Sequence, residues 1–144
     1  MYDVDIYLDV SSHSPRESSR IYGCVLSCTS VCGNPITLEI FGACDGTYHH
    51  CFLEALIAAL KRMKKRSRIC LHGPDQYVLN MIDHNLKTWS ENSFMDHKGR
   101  PLKDGDTWRE LWSVLSQHEY STDHRSHEYS GWLMGELKRK AMNV

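Results

Sequence analysis

Arg68 to Ile82 reads RICLHGPDQYVLNMI, a strand end followed by a helix start. Ile69 to Leu71 form a short apolar strand, Gly73-Pro74 stop it, and Asp75 opens a helical apolar run. In open α/β sheets such strand ends commonly carry the chemistry, so a side chain able to bind something is wanted there. Proline cannot supply one. Asp75 is placed to cap the helix, since a short acceptor side chain satisfies the free N–H groups of a first turn.

Two further groups of residues could carry chemistry. The chain has six cysteines, at positions 24, 28, 32, 44, 51 and 70, with no CxxC pair. Cys24, Cys28 and Cys32 invite a zinc or iron–sulfur reading, but they fall in a segment that reads as strand and fit buried, reduced thiols better. Lys61, Arg62, Lys64, Lys65, Arg66 and Arg68 form the densest charge run in the chain. Cations near a helix C-terminus are favoured by its dipole, which explains part of the run. Contact with nucleic acid or an acidic partner is the functional reading.

The elements that must position these groups follow from periodicity. DVDIYLDV and RIYGCVLSC are rich in β-branched and aromatic residues, and PITLEIF alternates as a half-buried strand does. Turn-rich SSHSPRESS and TSVCGN separate them, which predicts an antiparallel meander. After Asp45-Gly46-Thr47 the period changes: Phe52, Leu56, Ala59, Leu60 and Met63 lie on one helical face, and that helix closes in the basic run. The Ile69 strand and the Asp75 helix come next, then a polar loop, SENSFMDHKGRPLKDGD. Trp108, Leu111, Trp112 and Leu115 predict a third helix capped by Asp104 or Asp106. HEYSTD reads as an edge strand, and Tyr129, Trp132, Leu133, Leu137 and Ala141 as a last helix. A meander followed by alternating helix and strand predicts a mixed sheet with helices on its faces, an α/β fold.

Composition bounds the rest. At 144 residues, 41% hydrophobic and 24% charged, the chain reads as one globular domain with a real core. A net charge of -1 and a pI near 6.7 do not announce nucleic-acid binding, although a local basic patch can supply it. MYDVDIYLDV is too acidic for a signal peptide, and no run approaches the ~18 apolar residues of a membrane span. The expectation is a cytoplasmic protein with no membrane partner.

Several strings, collinear over nearly the whole chain, resemble the ribonuclease H family, specifically its bacterial type 1 members. IYLDVSS is similar to the family's first strand with its aspartate, YGCVL to the second, and LEALIAALKRM to the first helix. DQYVLNMI resembles the second helix, GRPLKDGDTWREL the approach to the third, and DHRSHEYSGWLMGELKRKAMNV the histidine loop and last helix. The resemblance implies a ribonuclease H-like fold, a five-stranded mixed sheet flanked by helices. It also implies cleavage of the RNA strand of an RNA/DNA hybrid by two Mg2+ ions held on four carboxylates, because hard dications take oxygen ligands and a pair stabilises attacking and leaving oxygens together.

Carried over residue by residue, the resemblance gives one of those acids. Asp9 matches the first-strand aspartate, whereas Phe52, Pro74 and Gly135 stand at the other ligand positions. Asp45, Glu39, Glu54, Asp75 and Glu136 are the neighbouring acids that could rebuild a site. Glu54 lies about 200° round the helix from Phe52, and Glu136 about 100° from Gly135. Thr47 matches a hydroxyl beside the hybrid, followed here by His49 and His50, and Val10 replaces a glycine. His124 matches the loop histidine that assists product or metal release, or is simply a surface loop residue. The family's basic helical handle is represented by Trp89, with Lys87, Lys98, Arg100 and Lys103 nearby.

The function expected is therefore a ribonuclease H-like protein without catalysis that binds nucleic acid, such as an RNA/DNA hybrid, or a protein partner. The binding residues would be Thr47, Lys64, Lys65, Arg66, Trp89, Lys98 and Arg100. No metal or other cofactor is expected. The alternative is a metal-dependent hydrolase using Mg2+ through a rearranged acidic site.

Overall fold

A computed structural model describes residues 2–29 and 32–142. Three antiparallel strands come first, β1 (Tyr2–Val10), β2 (Ser18–Thr29) and β3 (Pro35–Gly46), followed by helix α1 (Tyr48–Leu60). Strand β4 (Ser67–His72), helices α2 (Gln76–His84), α3 (Leu86–Glu91) and α4 (Gly105–Leu115), strand β5 (Glu119–Asp123) and helix α5 (Ser130–Met142) complete the chain. The sheet order is β3-β2-β1-β4-β5, with β4 parallel to both β1 and β5. This is the mixed sheet that the meander and the helix-strand alternation predict.

Side-chain alternation splits the core into two layers. Val4, Ile6, Leu8 and Val10 of β1, with Ile69 and Leu71 of β4, meet the buried faces of α1, α2 and α4. Tyr7 and Val25 point through the other face onto Leu133 of α5. A strand exposes opposite faces at successive residues, so Asp5, Cys70 and His72 fall on the α5 side of the sheet. Fully burying each of these aliphatic side chains contributes about 1.5–3 kcal/mol, which makes the two layers the main source of stability.

Three local expectations are corrected. Between α2 and the polar loop lies the short helix α3, which runs two residues into that loop and was missed because six residues are too few to show a period and no side chain caps it. Helix α1 ends at Leu60 with Lys61 as its C-cap, so its last turn holds no basic residue. The basic run begins at that cap and continues beyond the helix, so the dipole favours only its first cations. Asp104 occupies the N-cap position of α4 in a left-handed conformation (φ 59°) and makes no capping side-chain bond.

Candidate functional site

The end of β1, the start of α1 and the junction between β4 and α2 converge on two buried carboxylates. Asp9 is 4% exposed and Asp75 2% exposed. Asp9 Oδ1 accepts from the Val10 backbone N–H at 2.7 Å and from His13 Nε2 at 2.7 Å. Asp75 Oδ1 caps α2 by accepting from the Val78 N–H at 3.1 Å, while Oδ2 accepts from His49 Nδ1 at 2.7 Å. Each acid thus holds one histidine, and Asp75 does more than cap a helix.

Between the two pairs stands Tyr48. Its ring stacks on His13 at 4.6 Å and lies 5.5 Å from His49, which in turn meets Tyr77 at 4.6 Å. Burial, with the nearby charges of Asp75 and Asp9, pushes the Tyr48 hydroxyl far above its ordinary pKa, so it stays protonated. That hydroxyl is buried without a hydrogen-bond partner among the described residues. Loop residue His13 reaches Asp9 because Arg20, itself 2% exposed, donates to the carbonyls of Ser12, Ser14 and Arg16 and pins the loop to the sheet.

Phe52 lies one turn further along α1, fully buried, with its ring against Gly73 and edge-on to Tyr48 at 6.3 Å. Pro74 adjoins that contact and offers no donor atom. Gly135 sits on the exposed side of α5, where an added Cβ would meet nothing within 4 Å.

The neighbouring acids do not close on this centre. Glu39 and Asp45 lie on β3 opposite Val25 and Ser19, because strand pairing continues to Gly46. Asp45 accepts from the Ser19 hydroxyl at 2.6 Å. Glu54 faces His50 at 3.8 Å, and Glu136 pairs with Arg139. A pair of Mg2+ ions needs several carboxylate oxygens around a shared space. Two histidine-paired aspartates with Tyr48 and Phe52 filled in around them do not provide that donor set.

The expected binding residues scatter. Thr47 uses its hydroxyl to cap α1, accepting from the His50 N–H at 3.2 Å. Trp89 is half-buried, edge-on to Trp108 at 5.2 Å. His124 is fixed by Gln76 (2.7 Å), Asp83 (2.9 Å) and Thr122 (3.0 Å). Arg100 pairs with Asp96 at 3.1 Å, and Lys98 is exposed. Lys64, Lys65 and Arg66 lie before β4, whereas Asp75 follows its other end, roughly 20 Å of strand away at 3.3 Å per residue. Arg66 reaches Glu119 at 3.9 Å, and Lys65 lies over the Tyr2 ring at 5.8 Å.

No family model matches the chain. A ribonuclease H of Neisseria meningitidis is 31% identical over 84 residues, 58% of each chain. Among solved structures, LC9-RNase H1, a type 1 RNase H with the type 2 active-site motif, superposes with a TM-score of 0.77 over 99% of this chain and 74% of that one, at 13% identity. The chain is similar to ribonucleases H over part of its length and has the ribonuclease H-like fold. It spans 58% of the length of the curated ribonucleases H that it matches first, and the structural likeness, at such low identity, establishes the fold. A foamy viral protease-reverse transcriptase in complex with an RNA/DNA hybrid also superposes, with a TM-score of 0.63 over 99% of this chain and 20% of that one, at 17% identity. His13, Tyr48 and Arg20 escaped sequence reasoning. The one signal for His13 was its place four residues after Asp9, and a loop offers no periodicity to make that spacing meaningful.

Proposed function

We propose that this chain is a binding member of the ribonuclease H family that does not perform two-metal hydrolysis, and that its ligand is nucleic acid held by charge. The observation that carries the reading is Phe52, buried against Gly73 and edge-on to Tyr48, whose ring adjoins the histidines paired with Asp9 and Asp75. Nucleic acid is favoured because Arg62, Lys64 and Lys65 are exposed cations without a carboxylate partner among the described residues. The relative solved with an RNA/DNA hybrid shares this fold. Backbone contacts of this kind release counterions, so affinity falls steeply with salt.

A protein partner is the second reading. It rests on a groove of about 350 Å³ bounded by Tyr2, Leu26, Ile36, Leu38 and Met63, with Lys64 and Lys65 at its rim. Ile36 and Leu38 are exposed apolar residues of the edge strand β3, a surface suited to an apolar partner side chain.

The test combines cleavage and binding. Labelled hybrid, duplex DNA and single strands are titrated at two salt concentrations, then with Lys64, Lys65 and Arg66 changed to Ala. Salt-sensitive binding that weakens in the triple variant, with no cleavage in Mg2+ or Mn2+, is the expected result. Metal-dependent cleavage that disappears in Asp9→Asn would establish the hydrolase instead. Absence of binding at low salt would transfer the assignment to the protein partner.

A further inference from the structure

On the α5 side of the sheet, the parallel pairing of β1 with β4 sets Asp5 opposite Cys70 and Tyr7 opposite His72. This register brings a carboxylate oxygen of Asp5, the Cys70 sulfur and a ring nitrogen of His72 within 4.8 Å of one another. We propose that Asp5, Cys70 and His72 form a binding site for a divalent transition cation of the Zn2+ type.

The donor set decides the class of ion. Zn2+ accepts thiolate, imidazole and carboxylate ligands together, while Mg2+ takes oxygen and would reject the sulfur. Three protein ligands leave a fourth tetrahedral position for water. Asp5 and Cys70 border a solvent-open cavity of about 400 Å³, which gives an ion a way in. His72 Nε2 already meets Asp5 Oδ1 at 2.8 Å, so the cation would replace the hydrogen shared between them.

The surroundings resemble the support that metal ligands require. Tyr7 stacks on the His72 ring at 4.4 Å with 19° between planes, fixing its orientation. Asp123 Oδ2 stands 3.7 Å from His72 Nδ1, so the nitrogen facing away from the ion has a carboxylate beside it, the usual outer partner of a ligating histidine. Burial raises the Cys70 thiol above its ordinary pKa, and a hydrogen bond from Ser121 opposes that rise. Binding the ion would send the thiol proton to solvent, so affinity increases with pH.

The test uses the full chain stripped of metal and titrated with Co2+, then Zn2+. The expected result is one saturable site with a thiolate-to-cobalt charge-transfer band that Zn2+ abolishes. Cys70→Ser should remove the band, Asp5→Asn should weaken Zn2+ at least tenfold, and Cys32→Ser should change neither. In the unaltered chain Zn2+ should also protect Cys70 from alkylation, mapped by mass spectrometry, which decides the matter even if a variant fails to fold. A band that survives Cys70→Ser, or equal alkylation of Cys70 with and without Zn2+, would overturn the proposal.

Discussion

The ring of Phe52 rests directly on the backbone of Gly73: a Cβ at residue 73 would stand 2.5 Å from Phe52 Cζ and 3.2 Å from the Leu8 carbonyl oxygen. Helix α1 and the end of β4 therefore meet with no space for another atom. Gly73→Ala should destabilise the protein by about 1–3 kcal/mol, the usual cost of overpacking a core. Shortening the neighbour in Gly73→Ala/Phe52→Leu should recover part of that loss, as chemical denaturation can measure. Equal midpoints for Gly73→Ala and the unaltered chain would mean that the two elements separate freely.

Restoring an acid at position 52 tests the same contact chemically. Phe52 is 0% exposed, and removing such an aromatic costs about 3–5 kcal/mol before any charge is considered. In Phe52→Glu, burial and the nearby Asp9 and Asp75 would raise the folded-state pKa of the new carboxyl above its unfolded value. A raised folded pKa gives stability that is present at low pH and lost as pH rises through it. The variant should therefore be weaker at pH 8 than at pH 5. The opposite order would show that the new carboxylate finds a cationic partner.

Asp75 combines two roles that can be separated. Its loss removes a helix cap, worth about 1 kcal/mol, and the His49 hydrogen bond as well. Asp75→Ala should cost more than His49→Ala, because only the first leaves the Val78 N–H uncapped. A double-mutant cycle between the two should give a coupling of roughly 0.5–3 kcal/mol, as for residues in direct contact. Additive losses would place His49 outside the Asp75 interaction.

The strands and long helices were legible because burial imposes a period on the sequence, as in Ile6, Leu8 and Val10 of β1 or Trp108, Leu111 and Leu115 of α4. Helix α3 escaped because six residues cannot display one. Phe52 and Pro74 could be placed because collinear strings fixed their positions. The histidine partners could not, since Asp75 is 26 residues from His49 and only the packing of α1 beside α2 joins them. Asp5 and Cys70 are further apart still, and their meeting depends on the parallel register of β1 and β4. Sequence records which residues an element buries far better than which elements it will touch.

The acid limb of stability should belong to two histidines. His118 Nδ1 accepts from the Ser67 N–H at 3.0 Å, a bond that protonation of that nitrogen destroys. Burial, then the charge of Arg66, holds its pKa below the ordinary imidazole value of about 6.5. His127 is likewise depressed, by burial and then by His72. A depressed folded pKa gives stability that is present above about pH 6.5 and lost as pH falls through the folded value, with a slope of up to about 1.4 kcal/mol per pH unit for each proton. Asp123, held far below the usual carboxylate range by its hydrogen bonds to Arg125, titrates at much lower pH and leaves this window to the histidines. Unfolding free energies measured between pH 7 and 5 should therefore decline, and the decline should be shallower in His118→Asn, whose amide oxygen can still accept from Ser67 but takes up no proton. An identical slope in that variant would remove His118 from the account and leave His127, tested by His127→Asn, as the source.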